Sequence, residues 1–348
     1  FAHHGSECRS CDLRRLRDCM ENNPGHRFFQ GVDAGDWLAL RRAFVETVLG
    51  RGIAIVAPSP SVAARWRALM PELAAARIET IAHGIELPPA PPFEPPAAGR
   101  LRLVKIGRLS MEKGGTMLEA LLPQITRFAD LTLIGCGDEA AARLARTPGV
   151  TTIAAFAAPE LPALIARAAP HLGLQLSVVP ETFSFTLSEL WHCGVPVLGC
   201  RTGSLADRIR EDDNGFLCEP DAGSLMQRLR ELDARRADLA AMRARLLRTP
   251  QRSLAAMVAD YAALLPEPGR HAPPRLPLHA RAATRNAPLT GASGRVRVGA
   301  LSVDPQARYT DVARAFVGFT LDKATASPRL PLGLRRLVAR LGRRPAPR

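Results

Sequence analysis

The sequence predicts an α/β protein built on a parallel sheet with helices on both faces. Three observations carry that expectation. Short apolar runs alternate with helical patterns from residue 101 to residue 218, several of those runs end on glycine-bearing loops, and hydrophobic residues make up 47% of the 348. Strands that alternate with helices are joined by right-handed crossovers into parallel sheets, whose ligands bind at the carboxyl ends of the strands.

Taken in order, residues 1–30 are irregular and bear cysteine and histidine. From Asp36 to Leu49, the positions Leu38, Leu40, Phe44, Val45, Val48 and Leu49 recur at helical spacing. Residues 53–57 read as a short buried strand, Ser61 as the cap of a helix to Leu69, and 78–87 as a strand and a turn. The stretch 88–99 carries six prolines in twelve residues and reads as a linker. Regular alternation follows: strand 101–106 with helix 114–127, strand 131–134 with helix 138–146, and strand 150–154 with helix 159–168. Strand 172–178 leads to helix 184–193 and strand 195–199 to a helix near 204–210; strand 215–218 and helices through about 263 complete the run. The expected domains are therefore 1–87, the linker 88–99, an α/β domain at 100–265, and a Pro/Arg-rich tail at 266–348, mostly disordered.

The formal charge of +14 suggests nucleic acid, but the charge is not on the folded part. Residues 266–348 hold 16 Lys+Arg against 4 Asp+Glu, a net of +12, which leaves 31 against 29, a net of +2, for residues 1–265. The tail also lacks the interleaved aromatics that stack on bases, so no nucleic-acid partner is expected. In the tail, Leu334, Leu337, Val338 and Leu341 share one helical face with arginines around it, a pattern suited to a peripheral contact with an anionic membrane. No run of apolar residues is long enough for a transmembrane helix, and residues 1–20 are too charged for a signal peptide. Cysteines at 136, 193, 200 and 218 sit in apolar contexts as small core residues would, which fits a reducing, cytoplasmic setting. Cys8, Cys11 and Cys19, with His3, His4 and His26 near, are of zinc-ligand type but lack a second CxxC, so free thiols and no metal are expected. Phe1 is not a start methionine, and the chain is expected to be a piece of a longer protein.

The sharpest chemical signal is Glu181-Thr-Phe-Ser-Phe-Thr-Leu-Ser-Glu189. One carboxylate lies in a loop leaving a strand and the other lies inside the next helix, which Ser184 and Thr186 can cap. The free N–H groups of a helix start suit a diphosphate. Glu189 can then accept both hydroxyls of a ribose, and Glu181 the hydroxyls of a sugar beyond the phosphates. A second cluster, Gly107-Arg108 through Lys113-Gly114, follows the first strand of the alternating region.

Here the sequence resembles the family 4 retaining glycosyltransferases of the two-domain GT-B type. Pro180-Glu181…Glu189 with Gly194-Val-Pro-Val197 is similar to that family's E-x7-E motif and the strand after it, and Gly107-Arg108…Lys113-Gly114 to its first βα loop. Ile134-Gly-Cys-Gly-Asp138, Gly203-Ser204, Ile209 and Asn214-Gly-Phe-Leu217 match further stations over about 52–263. The segment departs from the commonest form, whose interior is glycine-rich, and resembles the subgroup that builds bacterial surface polysaccharides.

The resemblance implies a Rossmann-like donor domain, with residues 1–87 a remnant of the acceptor domain. It also implies transfer of a sugar from a nucleotide-diphosphate sugar to a glycan or lipid-linked acceptor, with retention of configuration. It assigns Arg108, Lys113 and Glu181 to catalysis and Gly107, Ser184, Phe185, Thr186, Leu187 and Glu189 to donor binding. The basic residues and helix amides neutralise the departing diphosphate, so no metal or other cofactor is obligatory. A Rossmann dehydrogenase would need G-x-G-x-x-G, which residues 107–114 do not supply. A non-catalytic nucleotide-sugar-binding or protein-interaction module remains the alternative.

Overall fold

The computed structural model describes residues 2–3, 6–7, 12–22, 33–265, 296–298 and 301–303. In chain order the elements are β1 Ala2–His3, β2 Ser6–Glu7, α1 Leu13–Asn22, α2 Ala34–Gly50, β3 Ile55–Ala57, α3 Pro60–Leu69 and β4 Ile78–Thr80. The alternating run is β5 Leu101–Ile106, α4 Gly115–Ile125, β6 Ala129–Ile134, α5 Asp138–Leu144, β7 Val150–Ile153, α6 Leu161–Ala168, β8 Leu172–Gln175, α7 Phe185–His192, β9 Val197–Cys200, α8 Gly203–Arg208 and β10 Gly215–Cys218. Then come α9 Ala222–Asp233, α10 Arg236–Arg248, α11 Leu254–Leu264, β11 Val296–Val298 and β12 Leu301–Val303.

The described residues from Val48 to Leu265 fall in one compact unit, and those before Val48 and after Leu265 in another. In the latter, β1 pairs with β2 and β11 with β12, both antiparallel, and Cys19 of α1 is buried. Cys8, Cys11, His4, His26, the side chain of His3 and the tail residues Leu334, Leu337, Val338 and Leu341 lie outside the described residues.

The first unit is organised by a six-stranded sheet in the order β10-β9-β8-β5-β6-β7, with every pairing parallel. Helices cover both faces, so β8, β9 and β10 are buried at every position. That two-sided burial is why these strands read as unbroken apolar runs. Leu103, Leu131, Leu133, Leu172 and Leu174 are each at most 1% exposed, and each contributes about 1.5–3 kcal/mol through burial. Chain order reverses between β5 and β8. At such a switch point these sheets bind ligands, in the crevice outside the carboxyl ends of the strands.

The alternation read from the sequence is present, with differences at element ends. The strand expected over 172–178 stops at Gln175. Leu176 and Ser177 are nevertheless buried, and Val178 donates to the Glu112 carbonyl at 3.1 Å. The apolar character continues because the segment lies under the neighbouring loop, without a strand partner. Ahead of the sheet, β3 and β4 form a parallel pair. Helix α3 is capped by Ser59, which accepts from Val62 N–H, and not by Ser61. Pro60 takes the first helical position, where its missing N–H is no loss. The proline-rich stretch 88–99 has no helix or strand but is fastened to the domain at four carbonyls, one of them Gly99, which accepts from Arg236 Nη2 at 3.3 Å. Pro88 accepts from His192 Nε2 at 2.9 Å, Phe93 from Arg243 Nη2 at 2.6 Å, and Pro96 from His171 Nε2 at 2.8 Å.

Candidate functional site

The crevice at the switch between β5 and β8 gathers most of the residues that the motifs single out. After β5, Gly107 turns with φ +94° and its N–H donates to the Ile134 carbonyl at 2.8 Å. Arg108 follows, exposed and without a side-chain hydrogen bond or ion pair among the described residues. The loop closes at Gly114, φ +73°, where a Cβ would stand 2.2 Å from the Leu176 carbonyl oxygen. Only glycine lets the β5 loop lie this close to the segment leaving β8. That approach brings Lys113 to Glu181: Lys113 Nζ is ion-paired with Glu181 Oε1, which also accepts from the Ser177 hydroxyl. Lys113 is 47% exposed and Glu181 14%, so the pair faces the crevice from a sheltered base. Among the described residues Glu181 Oε2 has no partner.

Gly203 supports the same loop from beneath. A Cβ there would lie 2.6 Å from the Glu181 carbonyl oxygen, and the next N–H, of Ser204, donates to that oxygen at 2.9 Å. Two backbones in contact thus fix where Glu181 stands.

Helix α7 begins at Phe185. Ser184 occupies its N-cap position in the left-handed region, φ +65°, with no side-chain cap hydrogen bond. The expected capping by Ser184 and Thr186 is not made, because both hydroxyls turn to Gln175 Oε1, at 3.4 and 3.2 Å. The Leu187 N–H is taken by the Ser184 carbonyl at 3.2 Å, so the expected donor at Leu187 is already engaged. The N–H groups of Phe185 and Thr186 have no backbone acceptor among the described residues and remain the open donors of the first turn. One turn on, Glu189 is half-buried, and burial raises its carboxyl above the usual range. It has no hydrogen-bond partner among the described residues. A half-buried carboxylate left unpaired is an acceptor waiting for hydroxyl donors.

Aromatic rings border this helix start. Phe183 is buried, and Phe185 is 49% exposed. His83, from the turn after β4, stacks on Phe185 at 5.2 Å and 18° and meets Phe183 edge-on at 5.0 Å.

Residues 100–234 match the family model described as glycosyl transferases group 1. A 61-residue stretch is 41% identical to trehalose phosphorylase of Grifola frondosa and covers 17% of this chain but 8% of that protein. The chain thus spans a small part of that relative's length. Among solved structures, sucrose-phosphate synthase from Thermosynechococcus elongatus aligns with a TM-score of 0.52 at 20% identity, over 73% of this chain and 65% of that one. An Anabaena protein crystallised with UDP and glucose aligns with a TM-score of 0.49 at 19% identity, over 64% and 66%. The fold is the parallel-sheet α/β fold of the GT-B glycosyltransferases.

Several residues of the crevice carry no motif signal in the sequence. Lys105, on β5, is 3% exposed and reaches the Arg108 carbonyl at 3.4 Å; burial, then the charge of Lys113, lowers its pKa to about 8. A lysine set between Val104 and Ile106 on a central strand is the sequence signal that could have marked it. Gln175 and Arg208 had none, since their partners lie on other elements. Among the described residues no three His, Cys, Asp or Glu side chains gather as a metal site would, the cysteines are free and buried, and no helix is long and apolar enough to cross a membrane.

Proposed function

We propose that this chain is the donor-binding part of a glycosyltransferase that takes a sugar from a nucleoside diphosphate and delivers it, with retention, to a glycan or lipid-linked acceptor. The carrying observation is the pairing of open donors with an open acceptor on one short element: the free Phe185 and Thr186 amides at the start of α7 and unpaired Glu189 one turn along. Diphosphate oxygens meet those amides and the free guanidinium of Arg108, while Glu189 accepts the ribose hydroxyls. Glu181, held by Lys113 and Ser177, keeps Oε2 for a hydroxyl of the sugar.

Breaking the sugar–phosphate bond leaves negative charge on the diphosphate, and the amides, Arg108 and Lys113 stabilise it without a metal in this reading. Donors aimed at developing charge are worth roughly 3 kcal/mol each in the barrier. The match to the glycosyl transferases group 1 model over 100–234 supports the reading, because that span contains every residue in this account.

Calorimetry tests it. UDP, GDP or ADP should bind the chain, and Glu189→Ala should weaken binding about tenfold by removing the ribose acceptor. With the donor sugar attached, proton NMR of the first released product should show the donor's own anomer. Failure of all three nucleotides to bind at millimolar concentration would sink the donor-site reading.

A further inference from the structure

Arg208, the last residue of α8, is engaged with the α7 start from below. Its Nη1 donates to the carbonyls of Phe183 at 2.6 Å and Ser184 at 3.0 Å, and its Nη2 donates to the Ser188 hydroxyl at 2.6 Å. The guanidinium lies over the Phe183 ring at 3.9 Å and reaches the Trp191 ring at 5.3 Å. Its own backbone carbonyl accepts from Asn214 Nδ2 at 3.0 Å, and Asn214 in turn accepts from Trp191 Nε1 at 2.7 Å. Asn214 thus ties the Arg208 backbone to the Trp191 ring beside the guanidinium. Among the described residues it faces no carboxylate. Nearby Asp207 points elsewhere, accepting from the Ser61 N–H at 2.9 Å.

We propose that Arg208 is a positioning residue of the donor site, a cation without a counter-ion that orients and polarises a peptide group whose N–H receives the diphosphate. The inference rests on the function proposed above. Its physical core is the peptide link between Ser184 and Phe185. The carbonyl of that link accepts from Arg208, and its N–H is one of the two open donors at the helix start. A hydrogen bond from a cation to a peptide oxygen draws electron density toward it and strengthens the N–H on the other side as a donor.

The same contact holds Ser184 in its left-handed conformation, so the two effects act at one place. The helix dipole and the guanidinium also put like charge under one surface, an arrangement that an arriving anion relieves. Burial lowers the Arg208 pKa to about 10, which leaves it protonated at neutral pH. Arg208 touches no substrate in this account. It acts through Ser184 and Phe185.

Two variants separate charge from fastening. Arg208→Gln keeps N–H donors for the carbonyls but is neutral, and Arg208→Lys keeps the charge with fewer donors. The probes are a nucleoside diphosphate that the unaltered chain binds (UDP, GDP or ADP), its monophosphate and its nucleoside, with near-ultraviolet circular dichroism confirming that each variant is folded. Arg208→Gln should weaken the diphosphate at least tenfold, the monophosphate less and the nucleoside less than twofold, while Arg208→Lys stays within about threefold throughout. Equal loss for nucleoside and diphosphate would reduce Arg208 to a packing residue, and equal loss in both variants would remove its charge from the account. If the unaltered chain binds no nucleotide, the donor-site reading fails first and takes this inference with it.

Discussion

Lys105 shows how much a single side chain can oppose the fold that contains it. Its ammonium is 3% exposed on a central strand, with one long hydrogen bond to Arg108 O at 3.4 Å. Burial first, and repulsion from Lys113 second, lower its pKa from 10.5 to about 8. In the unfolded chain the ordinary lysine value returns. Between about pH 8 and pH 10 the folded chain has therefore released a proton that the unfolded chain still holds, and stability rises with pH in that window. At pH 7 the charged form opposes folding by on the order of 3 kcal/mol. Lys105→Met should raise stability in urea at pH 7 by a large part of that, and the gain should shrink toward zero by pH 10. A gain that stays constant from pH 7 to pH 10 would show that the ammonium is not desolvated. Glu189 acts in the opposite sense: its carboxyl is raised by burial, so its contribution improves as pH falls through that raised value toward the ordinary carboxylate range. On the proposed reading, the donor's ribose hydroxyls would satisfy Glu189.

Ser184 carries the strain of the α7 start. Its φ of +65° costs a side-chain-bearing residue roughly 1 kcal/mol more than it costs glycine. The resemblance already marked this segment as departing from a glycine-rich form, and the structure shows what takes the glycine's place. The Ser184 and Thr186 hydroxyls bond to Gln175 and the Ser184 carbonyl to Arg208, a polar bracket around one strained residue. Ser184→Gly should therefore be more stable than Ser184→Ala by about 1 kcal/mol, the reverse of the order expected inside an ordinary helix. Denaturant melts of the two variants decide it, and an alanine variant at least as stable as the glycine variant would show that no strain is stored there. The element boundaries show what the sequence could say here. Apolar alternation located β5 to β10 because parallel strands covered on both faces are apolar throughout. The same rule overran the end of β8 at Leu176–Val178, where burial continues without a ladder. Polar residues in loops after strands singled out Arg108, Lys113 and Glu181 as candidates, and Glu189 followed from its spacing to Glu181 on the next helix. Gln175 and Arg208 were not legible, because their partners are 9 to 25 positions away and only the crossing of β8, α7 and α8 brings them together.

Across the larger unit, the proline-rich stretch 88–99 illustrates the limit of composition as a guide to mobility. Six prolines in twelve residues remove ladder donors and favour an extended chain, yet they leave every carbonyl free to accept. Four side chains from the domain, His171, His192, Arg236 and Arg243, use those carbonyls. His171 presents the clearest case: its Nδ1 accepts the Arg102 N–H at 2.9 Å, so Nε2 carries the proton and donates to Pro96 O at 2.8 Å. The strongest fastening is Arg243 of α10, which is 5% exposed. It donates to the carbonyls of Cys193 at 2.9 Å, Gly194 at 3.1 Å and Phe93 at 2.6 Å, and its guanidinium lies 3.8 Å over the Phe93 ring. Its carboxylate neighbour Glu94 is 3.8 Å away and 85% exposed, so that ion pair is worth little. Arg243→Met keeps the bulk of the stem but leaves three carbonyls without their donor, a loss of roughly 2–4 kcal/mol. Urea unfolding should show that loss, and limited proteolysis should begin within residues 88–99 well before the rest of the domain is cut. Glu94→Gln should change neither measurement. If Arg243→Met left the stretch as resistant as before, the stretch would be held by its own extended conformation and the remaining three contacts, and Arg243 would have no part in fastening it.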